Sequence, residues 1–222
     1  MSEIAKHVVC WSGGCDSTYL LHRLIADKAS KGERVLAVSI KCQNQTPAKY
    51  AAESLARGNL WAELQKLHAF SDKDDEKIKW TEIETSYYGD NKGLSLAYIW
   101  LTSVLPMVED GGSLYIGYIM GDHALRCTTE MRWAASYLSV ILGKSVEVRF
   151  PFVQWHAEKK DVLRSIPPAL LELCTWCEED YKDRAPCRLR PNDKARWCRP
   201  CLCHDVGLLT MSTGEDLRSS SL

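Results

Sequence analysis

The stretch Val8-Val-Cys-Trp-Ser-Gly-Gly-Cys-Asp-Ser-Thr-Tyr-Leu-Leu21 limits the possible folds more than any other part of the chain. The apolar run 8–11 reads as a buried strand. Residues 18–26, with Tyr19, Leu20, Leu24 and Ile25 available to a core, read as a helix. Only a tight turn fits between them. Gly13 and Gly14 allow backbone angles that a β-carbon forbids and let the chain approach a ligand closely. Successive amides in such a turn point inward and the helix start adds positive potential, so the junction suits an anion. Ser12, Ser17 and Thr18 add hydroxyls, while Asp16 either caps the helix or helps to hold Mg²⁺. No lysine follows the second glycine, so this is not a Walker loop. A plain strand-to-helix turn with an Asp cap is the competing reading.

The rest of the chain continues the alternation. Strands are expected at 35–40, 78–83, 113–117 and 146–150, and helices at 48–68, 94–105, 130–142 and 157–165. Pro106 ends the helix expected at 94–105, and 110–112 reads as a turn into the strand at 113–117. Five strands alternating with helices predict an α/β fold, a parallel five-stranded sheet sandwiched by helices. Ligands of such sheets sit beyond the carboxyl ends of the strands. Trp61, Trp80, Trp100 and Trp133 lie on apolar faces and are expected in the core.

A formal net charge of −1 over 222 residues gives no global pull toward nucleic acid. No apolar run reaches the roughly 18 residues that a membrane span needs. Residues 1–6 lack the apolar core of a secretory signal, so a cytoplasmic protein without a membrane partner is expected. Of the ten cysteines, Cys10, Cys15, Cys42 and Cys127 are scattered, whereas six fall between Cys174 and Cys203. In a reducing compartment that clustering favours a metal over disulfides. Cys174 and Cys177 have knuckle spacing by themselves, and Cys187 is a further competitor. The expected organisation is an α/β domain at 1–170, a metal-held lobe at 171–210 and a disordered tail at 211–222.

The string Ser12-Gly-Gly-Cys-Asp-Ser17 resembles the PP-loop of the ATP pyrophosphatases, also called the adenine nucleotide α-hydrolase-like fold. That resemblance implies an ATP site at Ser12, Gly13, Gly14, Asp16, Ser17 and Thr18. Within that superfamily, Thr175-Trp-Cys177 followed by Cys198-Arg-Pro-Cys201-Leu-Cys203-His204 is similar to the 7-cyano-7-deazaguanine synthase family. The family's four cysteines hold one zinc. Here the implied ligands are Cys177, Cys198 and Cys201, with His204 or Cys203 as the fourth, since zinc accepts thiolate or imidazole. The 20 residues between Cys177 and Cys198 exceed the family's spacing. In the middle of the chain, Asn91, Asp122, Cys127 and Glu130 match the family's substrate segments. Arg126 stands where the family has Asp, and its second-strand motif shrinks to Lys41-Cys-Gln43. The resemblance spans residues 7–206, firm at both ends and loose between.

Members of that family turn 7-carboxy-7-deazaguanine into the nitrile with ATP, Mg²⁺ and ammonia, and carry structural zinc. The resemblance therefore implies a carbon–nitrogen ligase of queuosine biosynthesis. Asp16, Ser17 and Lys160 are its catalytic candidates, and Asn91, Asp122, Cys127 and Glu130 its substrate contacts. Family members often pair, which implies a homodimer. The departures leave a relative that stops at the amide, or that joins the deazaguanine carboxylate to an amine of a macromolecule. Seven Lys or Arg residues from Lys182 to Arg199 offer a docking face for such an acceptor, or simply a solvated one. A tRNA-thiolating PP-loop enzyme and a degenerate nucleotide-binding interaction module are the other readings.

Overall fold

The computed structural model describes residues 3–42, 47–70, 76–85, 94–121, 123–175, 192 and 201. Strands and helices alternate: β1 (Ala5–Cys10), α1 (Cys15–Lys28), β2 (Val35–Cys42), α2 (Pro47–His68), β3 (Ile78–Thr85), α3 (Leu94–Val104), β4 (Val108–Tyr115), α4 (Thr128–Leu142) and β5 (Val146–Arg149). The short helices α5 (Pro151–Gln154), α6 (Lys159–Ser165) and α7 (Pro168–Leu173) follow. Every strand pairing is parallel, and the spatial order is β3-β2-β1-β4-β5. The expected five-stranded parallel sandwich is the observed one.

Val8 and Val9 in the central strand are wholly buried, as a strand covered on both faces requires. On one face Leu20, Leu21, Leu60, Leu64, Val162 and Leu170 bring α1, α2, α6 and α7 into a single apolar cluster. On the other, Leu101 and Val104 of α3 and Met131 and Ala135 of α4 pack over the sheet. The chain builds outward from β1 to β3, then returns to place β4 on the opposite side of β1. The strand order therefore reverses between β1 and β4, and their carboxyl ends open the crevice where such folds bind ligands.

Three local differences from the expected elements have physical causes. The glycine pair at 111–112 lies inside β4 rather than in a turn before it. A β-carbon on Gly112 would sit 2.6 Å from the Lys6 carbonyl oxygen, and pairing with β1 shifts register between Ala5 and His7. This is a bulge, which only glycine allows at so close a backbone approach. The helices α5 and α7 escape periodicity because each is a Pro-led turn or two. Finally, Trp61 is buried and Trp80 and Trp100 are half-buried, but Trp133 is 77% exposed. That corrects its expected core position: α4 is apolar on two sides, and Met131, Ala135 and Ser139 take the inward one.

Among the described residues, no helix is long and apolar enough to cross a membrane. The expected zinc-binding lobe lies outside the described residues apart from 171–175, Asn192 and Cys201, and the expected tail lies wholly outside them.

Candidate active site

The Trp11 amide donates to the Val38 carbonyl at 2.8 Å, extending the sheet one residue past β1 before the chain turns. Gly13 then adopts φ +83°, and Gly14 caps α1 in an extended conformation. The turn is held by its own hydroxyls. Ser12 and Ser17 face each other with Oγ atoms 3.0 Å apart, and the Ser12 amide donates to Ser17 Oγ at 3.2 Å. The Gly14 amide approaches Ser12 Oγ at 3.3 Å, and Ser17 Oγ donates to the Gly14 carbonyl at 3.2 Å. Thr18 differs from the other two: it is wholly buried and accepts the Trp11 indole N–H at 3.0 Å. Its hydroxyl anchors the turn to the core, leaving Ser12 exposed at the mouth with Ser17 buried just behind it.

Two other segments pinch the turn from the sides. The Thr175 amide, just after α7, donates to the Gly13 carbonyl at 3.0 Å. Arg57 of α2 runs beneath, so close that a β-carbon on Gly13 would lie 2.9 Å from its Cγ. Arg57 is 3% exposed. It pairs with Glu82 of β3 at 2.9 Å and Glu53 at 3.8 Å, and its Nε is buried without a hydrogen-bond partner. Tyr50 donates its hydroxyl to Glu82, and the Lys41 ammonium lies 4.5 Å from the Tyr50 ring centre. Sequence reasoning missed Arg57. The signal was there, because it occupies the inward stripe with Leu60, Trp61 and Leu64, where a cation needs a reason.

The lysine at the turn is Lys159. Its ammonium meets Asp16 Oδ2 at 2.5 Å and Cys15 Sγ at 3.3 Å, with the two charged side chains 21% and 22% exposed. Burial works against its charge, but Cys15 and Asp16 more than offset that and hold its pKa above the ordinary lysine value. Burial, helped by Asp16, pushes the Cys15 thiol up to about 11. Cys15 is therefore neutral at pH 7, and Asp16 is the anion that holds Lys159. The capping box of Glu158 and Asp161 starts α6 and fixes where Lys159 leaves the backbone. Lys160, the candidate from sequence, instead pairs with Glu158 at 3.0 Å on the outer side. Successive residues of a helix point about 100° apart, so adjacent lysines cannot both face the turn.

Of the substrate candidates, Cys127 is buried at the start of α4 and Glu130 is exposed in its first turn. Arg126 is also exposed. Asn91 and Asp122 lie outside the described residues, as do Cys177, Cys198, Cys203 and His204. Cys201 is buried. Among the described residues, no group of three or more His, Cys, Asp or Glu side chains is arranged to hold a metal. Cys174 is also buried, and that burial raises its thiol pKa well above the usual value.

No protein-family model matches the chain, and no curated protein does. Among solved structures, the tRNA thiolase NcsA from Methanococcus maripaludis, determined with its 4Fe-4S cluster, is similar at 12% identity and a TM-score of 0.45. That likeness covers 99% of this chain and 79% of the thiolase. The NMN synthetase from Francisella tularensis is similar at 12% identity and a TM-score of 0.34, over 98% of this chain and 90% of that one. Both likenesses are loose, so the functional reading rests on the turn after β1.

Proposed function

We propose that this chain is an ATP-using PP-loop enzyme that activates a carboxylate oxygen, and that it converts 7-carboxy-7-deazaguanine to 7-cyano-7-deazaguanine. One observation supports ATP use above all. The glycine turn stands at the strand-order switch, with the Ser12 hydroxyl at its mouth and Ser17 behind it, a helix start below and Lys159 held against Asp16 beside it. Phosphates need this combination of inward donors and positive charge. The choice of substrate rests on the resemblance carried by residues 175–177 and 198–204.

The substrate's carboxylate oxygen attacks the α-phosphorus of ATP, and pyrophosphate leaves. Ammonia displaces AMP to give the amide. A second ATP activates the amide oxygen, and loss of AMP and protons leaves the nitrile. Both rounds build negative charge on the departing pyrophosphate, which the loop amides, the start of α1 and Lys159 are placed to stabilise. The Asp16 carboxylate fits Mg²⁺ by its chemistry and position and would help to hold it, while Lys159 beside it is the cation that the chain itself offers to phosphate. Bound there, Mg²⁺ would supply charge neutralisation on the triphosphate. The described cysteines do not favour sulfur transfer: Cys15, Cys127 and Cys174 are all buried, and Cys15 is a thiol at neutral pH.

We assign one zinc to Cys177, Cys198 and Cys201 with His204 or Cys203, in a structural role. Metal analysis of chain purified without chelators is expected to give about one zinc per chain, and a chain without zinc ends that assignment.

The deciding experiment is mass spectrometry of products after incubation with 7-carboxy-7-deazaguanine, ATP, Mg²⁺ and ammonium. Nitrile with AMP and pyrophosphate is the expected result. Amide or adenylate without nitrile keeps the ATP chemistry and moves the acceptor elsewhere. No ATP turnover overturns the enzyme reading in favour of a binding module.

A further inference from the structure

A cavity of about 270 Å³ lies along the flank of α1, away from the glycine turn. Its long wall is one helical stripe: Leu20 and Leu24 supply apolar surface, and Arg23, Asp27 and Lys28 fall at the same spacing. Its floor is the register pair Tyr115 and Arg149, where β4 and β5 end. Pro151 and Trp155 close the far end. The gap exists because β5 is the sheet edge, and α5 after it is a single turn about 6 Å long.

The charges around this cavity do not balance. Three cations line it against one carboxylate. That carboxylate is already taken, since Lys28 meets Asp27 Oδ2 at 2.9 Å and Lys31 meets Oδ1 at 2.6 Å. Arg23 has no carboxylate partner among the described residues, and its one hydrogen bond goes to the Tyr19 hydroxyl at 3.1 Å. Arg149 gives one nitrogen to Glu147 at 2.6 Å, while its Nε is buried without a hydrogen-bond partner. A buried N–H left unpaired is costly, so two guanidiniums with spare donors at one cavity call for an acceptor. Their planar forks suit the several oxygens of a phosphate.

The opposite end of the cavity shows what carries that anion. Trp155 is 45% exposed, with Phe152 edge-on to it and the Arg23 guanidinium 5.8 Å from its ring centre. An indole left half open beside a guanidinium offers a stacking surface next to an anion-binding group. We propose that this cavity binds a phosphate monoester carried on a flat aromatic body, with the phosphate between Arg23, Lys28 and Arg149 and the ring against Trp155. Aryl phosphates and nucleoside monophosphates share that chemistry. The site is separate from the turn: at about 1.5 Å per residue, Arg23 lies about 9 Å beyond Ser17 along α1, on its flank rather than at its start. The proposal does not depend on the reaction that the turn performs.

Titration calorimetry of the full chain with phenyl phosphate is expected to give one site with a dissociation constant below about 1 mM. Inorganic phosphate, which lacks the ring, and phenol, which lacks the charge, should each bind at least about 10-fold more weakly. Arg23→Gln and Arg149→Gln should each weaken phenyl phosphate about 10-fold or more, with melting curves confirming that both variants fold. Trp155→Ala should weaken phenyl phosphate and leave inorganic phosphate unchanged. Lys159→Met, which alters only the turn, should change neither. Uridine monophosphate separates the two sources: tighter binding than phenyl phosphate identifies a nucleotide site, weaker binding an aryl phosphate site. No binding at about 10 mM phenyl phosphate overturns the proposal. So does binding that survives both arginine changes, binding lost in Lys159→Met, or inorganic phosphate held as tightly as the phenyl ester.

Discussion

The chain contains two consecutive-glycine pairs, and they sit on neighbouring strands at opposite edges of the sheet. Gly13-Gly14 follows β1 at the carboxyl edge, and Gly111-Gly112 lies midway along β4, beside the amino ends of β1 and β5. Both pairs include a positive φ, +83° at Gly13 and +72° at Gly111. What surrounds them differs. At the amino edge the Gly111 amide is taken by the Ser145 carbonyl at 2.7 Å, and the space over Gly112 is filled by the Lys6 and Glu109 carbonyls. At the carboxyl edge the turn opens onto two hydroxyls, a carboxylate and an ammonium. A glycine pair thus records a steric need, and its neighbours decide whether that need is a ligand's or the sheet's own.

Alanine at each site separates the two uses. Gly13→Ala meets both an unfavourable φ and the Arg57 stem, and is expected to cut ATP turnover at least 100-fold, because phosphate positions tolerate little displacement. Its stability cost should be only about 1–2 kcal/mol. Gly112→Ala drives a methyl group into backbone oxygen and should cost about 1–3 kcal/mol, or roughly 3–10 °C in melting temperature. Turnover per folded molecule should then persist. Paired melting curves and ATP assays check this, and equal loss of turnover in both variants would erase the distinction.

The next contrast is between neighbours in sequence. Lys159→Met removes the ammonium from the turn and is expected to lower turnover about 100-fold, in line with loss of one charge-stabilising donor. Lys160→Met, which breaks only the outer pair with Glu158, should have less than a tenth of that effect. Steady-state assays of the two variants at saturating ATP read the ratio. The opposite ratio would return the catalytic role to the lysine that sequence resemblance selects.

These pairs also show how far the sequence is legible. The turn after β1 is readable because its glycines, hydroxyls and acid are contiguous, so the local string contains its own explanation. The glycine pair in β4 is not, because what Gly112 must avoid is the carbonyl of Lys6, far away in the chain. The same holds for Arg57, whose buried charge makes sense only once β3 supplies Glu82. Lys159 against Lys160 turns on where α6 begins, which the Glu158 cap decides. Trp133 misleads because α4 is apolar on both sides, and periodicity alone does not say which side faces the sheet. Contiguous chemistry could be read from the string, but chemistry assembled across strands could not.

Between the two edges, α1 is tied to its neighbours by two pairs that answer oppositely to acid. At its start Asp16 holds Lys159, whose raised pKa keeps the ammonium charged well above neutral pH. One turn and a half further on, His22 Nδ1 and His68 Nε2 are 2.9 Å apart. Burial first, and His68 next, lower the His22 pKa to about 4, and burial lowers that of His68 too. One ring must keep a bare nitrogen to accept the other's N–H, so charging both rings breaks this contact. Between about pH 4 and the unfolded value near 6.5, the unfolded chain binds more protons at His22 than the folded one. Stability from this site is therefore complete above pH 6.5 and falls as the pH drops toward 4. Because His22 is only half-buried, solvent screening leaves an effect on the order of 1 kcal/mol, about 2–4 °C in melting temperature. Other groups also titrate in this range, so the readout is a difference: His22→Asn should flatten the melting-temperature slope between pH 6.5 and 4.5 relative to the parent chain. Identical slopes would mean that the α1–α2 contact is indifferent to the histidine pair, and that acid acts on this fold through other groups, buried His7 among them.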